Sequence, residues 1–440
     1  MERGQRKRGI ERLLVSFIHA PQPKRLAAID QTLESSRNNI AGRIEGMDIT
    51  FLTGTLLLLI AAVVAMLTRR LRLPYSVGLV VAGIALAFLP FAPKVSLTKD
   101  LLFTVLLPPL LFEAAFYIPW NQLRRNSPVI LVLATLGVVL SACVTAMGMH
   151  FLMRWQWIAA LAFGALIAAT DPVSVIATFK EAKAHGRLLV LIEAESLLND
   201  GTAAVAFGVV IALAAGQQIS SVEIAALLLK TIGGGVLCGG TVALGALLLT
   251  GRTDDHLVEI TFTTVAAYGS FLLADHFGLS GVLATITAGL VMSNFKPLGG
   301  ISERGKESVH AFWDYAAFVA NSLVFLLIGM HEAHQNFMAI WLPAVTAIAL
   351  VTLGRAVAIY PCCLLFSRSA LRVSAKHQHI LFWGGLRGAL ALALALGLPP
   401  EIPLREEIIT ISFAVVAFSV FVQGLTMVPF LRRMGEIPGV

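Results

Sequence analysis

Asp200 lies in Glu195-Ser196-Leu197-Leu198-Asn199-Asp200-Gly201, inside an apolar stretch (188–215) long enough to cross a bilayer. A carboxylate at that depth costs roughly 2.5 to 3.5 kcal/mol on the mildest insertion scale, so it persists where it performs a function. Asp171 and Glu113 lie in two further apolar segments. Three intramembrane carboxylates in one chain point to a site that binds and releases cations or protons.

On a helix, Ser196 and Asp200 are four residues apart, and Glu195 and Asn199 form a second such pair on the adjoining face. A dehydrated monovalent cation needs several oxygens; Asp200, Ser196, the Thr170 carbonyl and a water would supply them. Burial disfavours a charged carboxylate, so proton and cation would compete for Asp200. Competition for one site that faces one side at a time gives exchange, with no separate coupling device. Asn199 is a neutral neighbour: a second carboxylate there would allow two charges per cycle, whereas asparagine fits one proton for one cation. Asn199 is equally suited to interhelical hydrogen bonding. Glu195 needs a partner at this depth, and Arg355 and Arg387 are the arginines placed deep in apolar segments. A bridge from Glu195 to one of them would hold the polar stripe in place. Glu113, in Leu-Phe-Glu-Ala-Ala-Phe after Pro108-Pro109, reads either as an access-path carboxylate or as a hydrogen-bonded packing residue. Asp275, His276, Glu259 and Asp314 fall near expected span ends, where solvated or interfacial roles are expected. His331-Glu332-Ala333-His334 resembles a zinc protease motif only superficially, because its histidines are three apart where the helical motif needs four.

Two segments must be irregular to present such a site. Ala169-Thr170-Asp171-Pro172-Val173-Ser174 sits in the middle of an apolar run, yet Asp, Pro and Ser in this order begin a helix. Pro172 lacks an N–H and disfavours the helical conformation at Asp171. A discontinuous helix restarting near Asp171 satisfies both facts, with the freed backbone groups lining a cavity. Trp383-Gly384-Gly385-Leu386-Arg387-Gly388 makes a second interruption, again mid-run. Paired interrupted segments in two halves of a chain point to a transporter's central site.

The 440 residues are 57% hydrophobic and 13% charged, with mean hydropathy +0.82. A soluble domain carries about 25% charge. This is an all-α integral membrane protein, and its net charge of +7 says little about nucleic acid, which is not an expected partner. The four cysteines fall in apolar segments with no disulfide or metal-ligand spacing. Thirteen spans are expected: 50–68, 75–92, 100–118, 128–152, 157–179, 188–215, 222–250, 257–276, 279–294, 311–330, 338–366, 378–398 and 407–431. Loops after odd-numbered spans, with the C-terminal end, hold 17 Lys and Arg against 4 in the others, which places them and the C-terminus in the cytoplasm. The N-terminus is then outside, although residues 1–46 carry nine basic residues and resist translocation. Three readings of that extension compete: a start upstream of the natural Met47, a peripheral helix around Arg12–Ile18, or a span count wrong by one. The first is preferred because the loops together outweigh one tail. Residues 47–435 form the transmembrane domain. No Walker loop is visible, so nothing points to ATP-driven transport or to an enzyme.

Ala-Thr-Asp-Pro-Val (169–173), Glu-Ser-Leu-Leu-Asn-Asp-Gly (195–201), Phe-Glu-Ala-Ala-Phe (112–116) and Gly-Gly-Leu-Arg-Gly-Ala (384–389) resemble the monovalent cation:proton antiporter-1 family, which includes the sodium/proton exchangers. The likeness covers nearly all of 47–435, with four motifs in the family's order. It implies thirteen helices in two inverted six-helix repeats with two discontinuous crossing helices. It also implies a homodimer in the cell (inner) membrane, with a core moving as an elevator; that core would include 100–118, 128–152, 157–179, 188–215, 311–330, 338–366, 378–398 and 407–431. By the resemblance Asp200 is the ion- and proton-binding aspartate, Thr170, Asp171 and Ser196 complete or frame the site, and Asn199 is typical of electroneutral members. Glu195 with Arg355 or Arg387 would be a core ion pair. No cofactor is implied; Na⁺, Li⁺ or K⁺ and H⁺ are cargo. The sequence stops soon after the last span, where animal exchangers carry a regulatory tail, so a prokaryotic-type member is expected.

The expected function is exchange of Na⁺ (or Li⁺ or K⁺) for H⁺. A passive channel would want a wide or multi-site pore, and an intramembrane aspartyl protease would want Gly-x-Gly-Asp, which neither aspartate has. The nearest rival is a sodium-coupled symporter of an organic anion, which would not require the Asn199-Asp200 pair.

Overall fold

The computed structural model describes residues 53–71, 73–89, 97–171, 176, 179, 186–216, 221–295, 300–333 and 340–437. Every regular element among them is helical. The chain divides into two compact units, residues 1–59 and 60–440, and the packing and site below belong to the second. The basic extension 1–46 and the helix restart at Pro172–Ser174 lie outside the described residues.

In chain order the helices are α1 (Thr53–Leu71), α2 (Tyr75–Ala87), α3 (Leu101–Tyr117), α4 (Trp120–Met153) and α5 (Trp157–Ile167). Then follow α6 (Arg187–Ala214), α7 (Ser221–Thr250), α8 (His256–His276), α9 (Gly281–Asn294) and α10 (Glu303–Glu332). Last come α11 (Trp341–Leu364), α12 (Ala375–Trp383), α13 (Ala389–Leu396) and α14 (Arg405–Arg433). By length and composition α1, α4, α6, α7, α8, α10, α11 and α14 can each cross a membrane, and α2, α3, α5 and α9 are shorter apolar helices.

Two helix starts differ from expectation, each for a tertiary reason. Helix α4 begins at Trp120, before Pro128, because Asn294 at the end of α9 serves the junction. Its Oδ1 accepts from the Trp120 N–H (2.9 Å) and its Nδ2 donates to the Ile118 carbonyl (3.1 Å). Helix α10 begins at Glu303, well ahead of the expected 311, because Ser302 caps it through the Gly305 N–H (2.9 Å). Glu259 accepts from the Ser302 N–H (2.8 Å) and hydroxyl (3.2 Å). The expectation that Glu259 is solvated is therefore wrong: it is wholly buried, and those two donors offset its desolvation. Asp275 and His276 are exposed at the end of α8, as expected of a span end.

Packing sorts the helices into two groups. Helices α2, α3, α7, α8, α9 and α10 pack on one another, with α10 against α2 and α9 against α3 and α7. Their shared core includes Phe112 and Trp313, with ring centroids 4.4 Å apart, and Trp313 donates its indole N–H to Thr263 (3.0 Å). Helices α4, α5, α6, α11, α13 and α14 form the second group, with α11 against α4 and α5 against both α4 and α6. Segments 100–118 and 311–330, placed with the core in the sequence reading, pack chiefly with the first group, because Phe112 and Trp313 anchor them there.

Candidate functional site

Helix α5 ends at the first expected interruption, the second interruption is present, and the two segments meet. Helix α5 ends at Ile167 and Ala169–Asp171 are non-helical. Helix α12 ends at Trp383, residues 385–388 are non-helical, and α13 starts at Ala389. The Asp171 N–H donates to the Leu386 carbonyl (2.8 Å), so each break satisfies a backbone group that the other leaves open. A Cβ on Gly388 would run into the Asp171 carboxyl group; the breaks approach this closely only because residue 388 is glycine.

Arg387 is buried against the end of α5, donating from Nη1 to the carbonyls of Ala168 (2.8 Å) and Ala169 (3.0 Å). A fixed positive charge there satisfies C-terminal carbonyls and complements the helix dipole. The partner of Glu195 is Arg355, bound through Nη1–Oε1 (2.7 Å) and Nη2–Oε2 (3.0 Å), with both side chains buried. Arg355 Nη2 also donates to the Leu381 carbonyl (3.0 Å), which ties α6 and α11 to the end of α12. The sequence reading left both arginines open, and the geometry gives them separate tasks.

A cavity of about 450 Å³ reaches this junction. Ala169, Thr170 and Asp171 line it after α5, and Glu193, Ser196, Leu197 and Asp200 line it from α6. Gly388 to Ala391 face it at the start of α13; Glu113 comes from α3, and Asp314 and Asn321 from α10. Asp200 Oδ1 is buried with no hydrogen-bond partner among the described residues. Beside it, the Ser196 hydroxyl donates to the Thr170 carbonyl (2.6 Å), and the two hydroxyl oxygens lie 3.1 Å apart. Asn199 Nδ2 donates to Thr170 Oγ1 (3.1 Å) and lies 3.5 Å from Glu195 Oε1. Oxygens from Asp200, Ser196 and Thr170 thus converge on the cavity as a set that a monovalent cation can use.

The two faces of α6 divide the work. Ser196 and Asp200 line the cavity, whereas Glu195 and Asn199 do not. Asn199, grouped with the ion-binding residues from the sequence, touches the site through Thr170.

Sequence reasoning missed Glu193, which is buried on the cavity wall, and Asn321. Glu193, Ser196 or Leu197, and Asp200 follow the i, i+3/i+4, i+7 rhythm of one helix face, a signal present in the sequence. Asp314, expected near a span end in a solvated or interfacial role, is exposed, lies more than two turns into α10 and lines the cavity. His331 stacks on Phe413 (4.1 Å), and no cluster among the described residues could hold a metal ion through His, Cys, Asp or Glu.

Comparison with known proteins gives the family and the fold. Residues 56–433 match the family described as "Sodium/hydrogen exchanger, transmembrane". The Na(+)/H(+) antiporter ApNhaP of Aphanothece halophytica is 40% identical over 372 residues, which are 83% of this chain and 70% of that protein. The Na(+)/H(+) antiporter NhaG of Bacillus atrophaeus is 37% identical over 398 residues, 88% of this chain and 75% of the relative. The solved structure of the sodium proton antiporter MjNhaP1 from Methanocaldococcus jannaschii at pH 8 superposes with TM-score 0.66, covering 89% of this chain and 97% of that one. At 20% sequence identity that likeness concerns the fold.

Proposed function

The chain belongs to the sodium/hydrogen exchanger family, and from that membership we propose that it exchanges one Na⁺ for one H⁺ through Asp200. The observation that carries this reading is the buried Asp200 Oδ1, without a hydrogen-bond partner among the described residues, on a cavity wall shared with Ser196 and Thr170. A carboxylate in that position binds a proton or a cation, and either one neutralises it. Arrival of Na⁺ from one side displaces the proton, and protonation from the other side releases Na⁺. Li⁺ or K⁺ would use the same oxygens. With asparagine at 199 and Glu195 held by Arg355, Asp200 is the one carboxylate of the 195–200 motif left for cargo, which supports an electroneutral cycle.

The cell membrane is the site of action, with the C-terminus in the cytoplasm by the positive-charge rule. Arg69, near the cytoplasmic end of α1 in this orientation, lines the same cavity, so the cavity opens towards the cytoplasm. Alternating access then requires the second helix group, which carries Asp200 and both breaks, to slide against the first as an elevator. The first group would also pair two protomers into a homodimer. The two halves of the chain, each with one interrupted helix, are read as inverted repeats.

The test is reconstitution in liposomes with an internal pH dye, adding Na⁺ and then K⁺, with membrane potential clamped and unclamped. Wild type should give a cation-driven pH change that ignores the potential and vanishes in Asp200→Asn. A folded wild-type protein that moves no protons with any of these cations would overturn the proposal.

A further inference from the structure

Helix α10 carries Lys306, His310 and Asp314 at four-residue intervals, one above another on one face. They do not face the same space. Lys306 and His310 line a separate cavity of about 460 Å³ beside the ends of α3 and α9, whereas Asp314 lines the ion cavity. Tyr117, the last residue of α3, stands where the two meet. Its ring lies against His310 with centroids 4.8 Å apart, and its hydroxyl donates to Asp314 Oδ1 (2.8 Å).

Asp314 is exposed, unlike Glu193 deeper in the same cavity. Asn321 lies seven residues further along α10 on the cavity wall, about 10 Å along the axis at 1.5 Å per residue. Glu113, one turn before Tyr117 on α3, also lines that wall. The carboxylates therefore run inward from Asp314 at the outer end towards Asp171 and Asp200. Among the described residues, the wall carries one arginine against them, Arg69. In a confined cavity with low-dielectric walls, such an arrangement concentrates cations.

We propose that Asp314 is the outer docking carboxylate for the incoming monovalent cation, and that Tyr117 is the residue that positions it. The claim rests on the antiport reading and on its orientation, with Asp314 on the cytoplasmic approach. Through its hydrogen bond the Tyr117 hydroxyl fixes the orientation of the Asp314 carboxylate where the two cavities adjoin, with His310 and Lys306 one and two turns back on α10. Without the hydroxyl, the Asp314 carboxylate loses that fixed orientation, and its pull on cargo weakens.

The test is Na⁺-driven proton movement by wild type, Asp314→Asn, Asp314→Glu, Tyr117→Phe and the double variant in proteoliposomes. Na⁺ is presented to the cytoplasmic face at low and high choline chloride. Asp314→Asn should raise the half-saturating Na⁺ concentration roughly three- to tenfold at unchanged maximal rate, with the gap closing at high ionic strength. Asp314→Glu should stay near wild type, which separates loss of charge from a folding defect. Tyr117→Phe should give a smaller rise alone and none in the Asp314→Asn background. An unchanged half-saturation in Asp314→Asn, a fall in maximal rate alone, or additive effects of the two substitutions would each overturn the assignment. Absence of Na⁺-driven proton movement in wild type would instead strike the antiport reading.

Discussion

Ser196 and Asp200 open onto the cavity, while Glu195 and Asn199, each one residue earlier on α6, turn into the protein towards Arg355 and Thr170. Substitutions on the two faces should therefore fail differently. On the inner face, Arg355→Met leaves the buried Glu195 carboxylate without its two guanidinium bonds, and breaking such a pair typically costs about 3–5 kcal/mol. Thermal melts in detergent should show a large drop for Arg355→Met and for Glu195→Leu. The double variant should recover much of it, since an apolar pair of similar volume strands no charge. If the double variant melts as low as the worse single one, the pair does more than neutralise two buried charges. Asn199→Asp belongs to the same face. Its new carboxylate would stand where an amide nitrogen now lies 3.5 Å from Glu195 Oε1, and Thr170 Oγ1 would lose its donor. Lower thermal stability is expected there, even if transport persists. On the outer face, Ser196→Ala removes a cavity oxygen and the donor to the Thr170 carbonyl (2.6 Å), at a cost near 1 kcal/mol in stability. Its larger effect should be a raised half-saturating Na⁺ concentration in the liposome assay.

The breaks and caps were legible in the sequence to very different degrees. Asp171-Pro172 and the Gly384–Gly388 run announce themselves because proline and glycine act on their own backbone, whatever surrounds them. The polar stripe of α6 was legible for the same local reason, the helical period. What could not be read was anything decided by a distant partner. Asn294 starts α4 and Glu259 supports the start of α10 across many residues of chain, so neither those early helix starts nor the burial of Glu259 could be read from the sequence. The choice between Arg355 and Arg387 for Glu195 was likewise undetermined, since both are arginines at depth and only the fold separates their reach. Close approach between elements gives a direct check. A Cβ on Gly329 of α10 would collide with the Val80 carbonyl of α2, and one on Gly83 of α2 with the Leu326 carbonyl of α10. Gly329→Ala should separate these two helices and lower the melting temperature by several degrees, while Gly388→Ala should spare the melt more and abolish transport. The second outcome follows because its added methyl group meets the Asp171 carboxyl group at the junction. Equal losses of stability and of transport in both variants would contradict this division.

At the scale of the whole transporter, the cavity is bounded by helices of both groups, α3 and α10 from one and α5, α6 and α13 from the other. The oxygens of Asp200, Ser196 and Thr170 proposed to bind the ion all belong to one group, so sliding that group against α3 and α10 would move the site without dismantling it. The apolar core of the first group, from Phe112 to Trp313, gives it a body against which to slide. Asn321 offers a probe of which side the cavity faces, because it lines the wall from the group that would stay still. None of the four cysteines lines the cavity; Cys362 and Cys363 are buried and Cys143 is exposed. Asn321→Cys in a chain with Cys143 and Cys238 replaced by serine thus provides one reactive thiol in the cavity. A membrane-impermeant thiol reagent should label it faster in inside-out than in right-side-out vesicles under the proposed orientation, which opens the cavity on the cytoplasmic side. Imposing an outward Na⁺ and inward H⁺ gradient should narrow that difference if the carrying group cycles past α10. Labelling that is faster from outside would reverse the orientation argued from the loop charges, and with it the placement of Asp314 on the cytoplasmic approach.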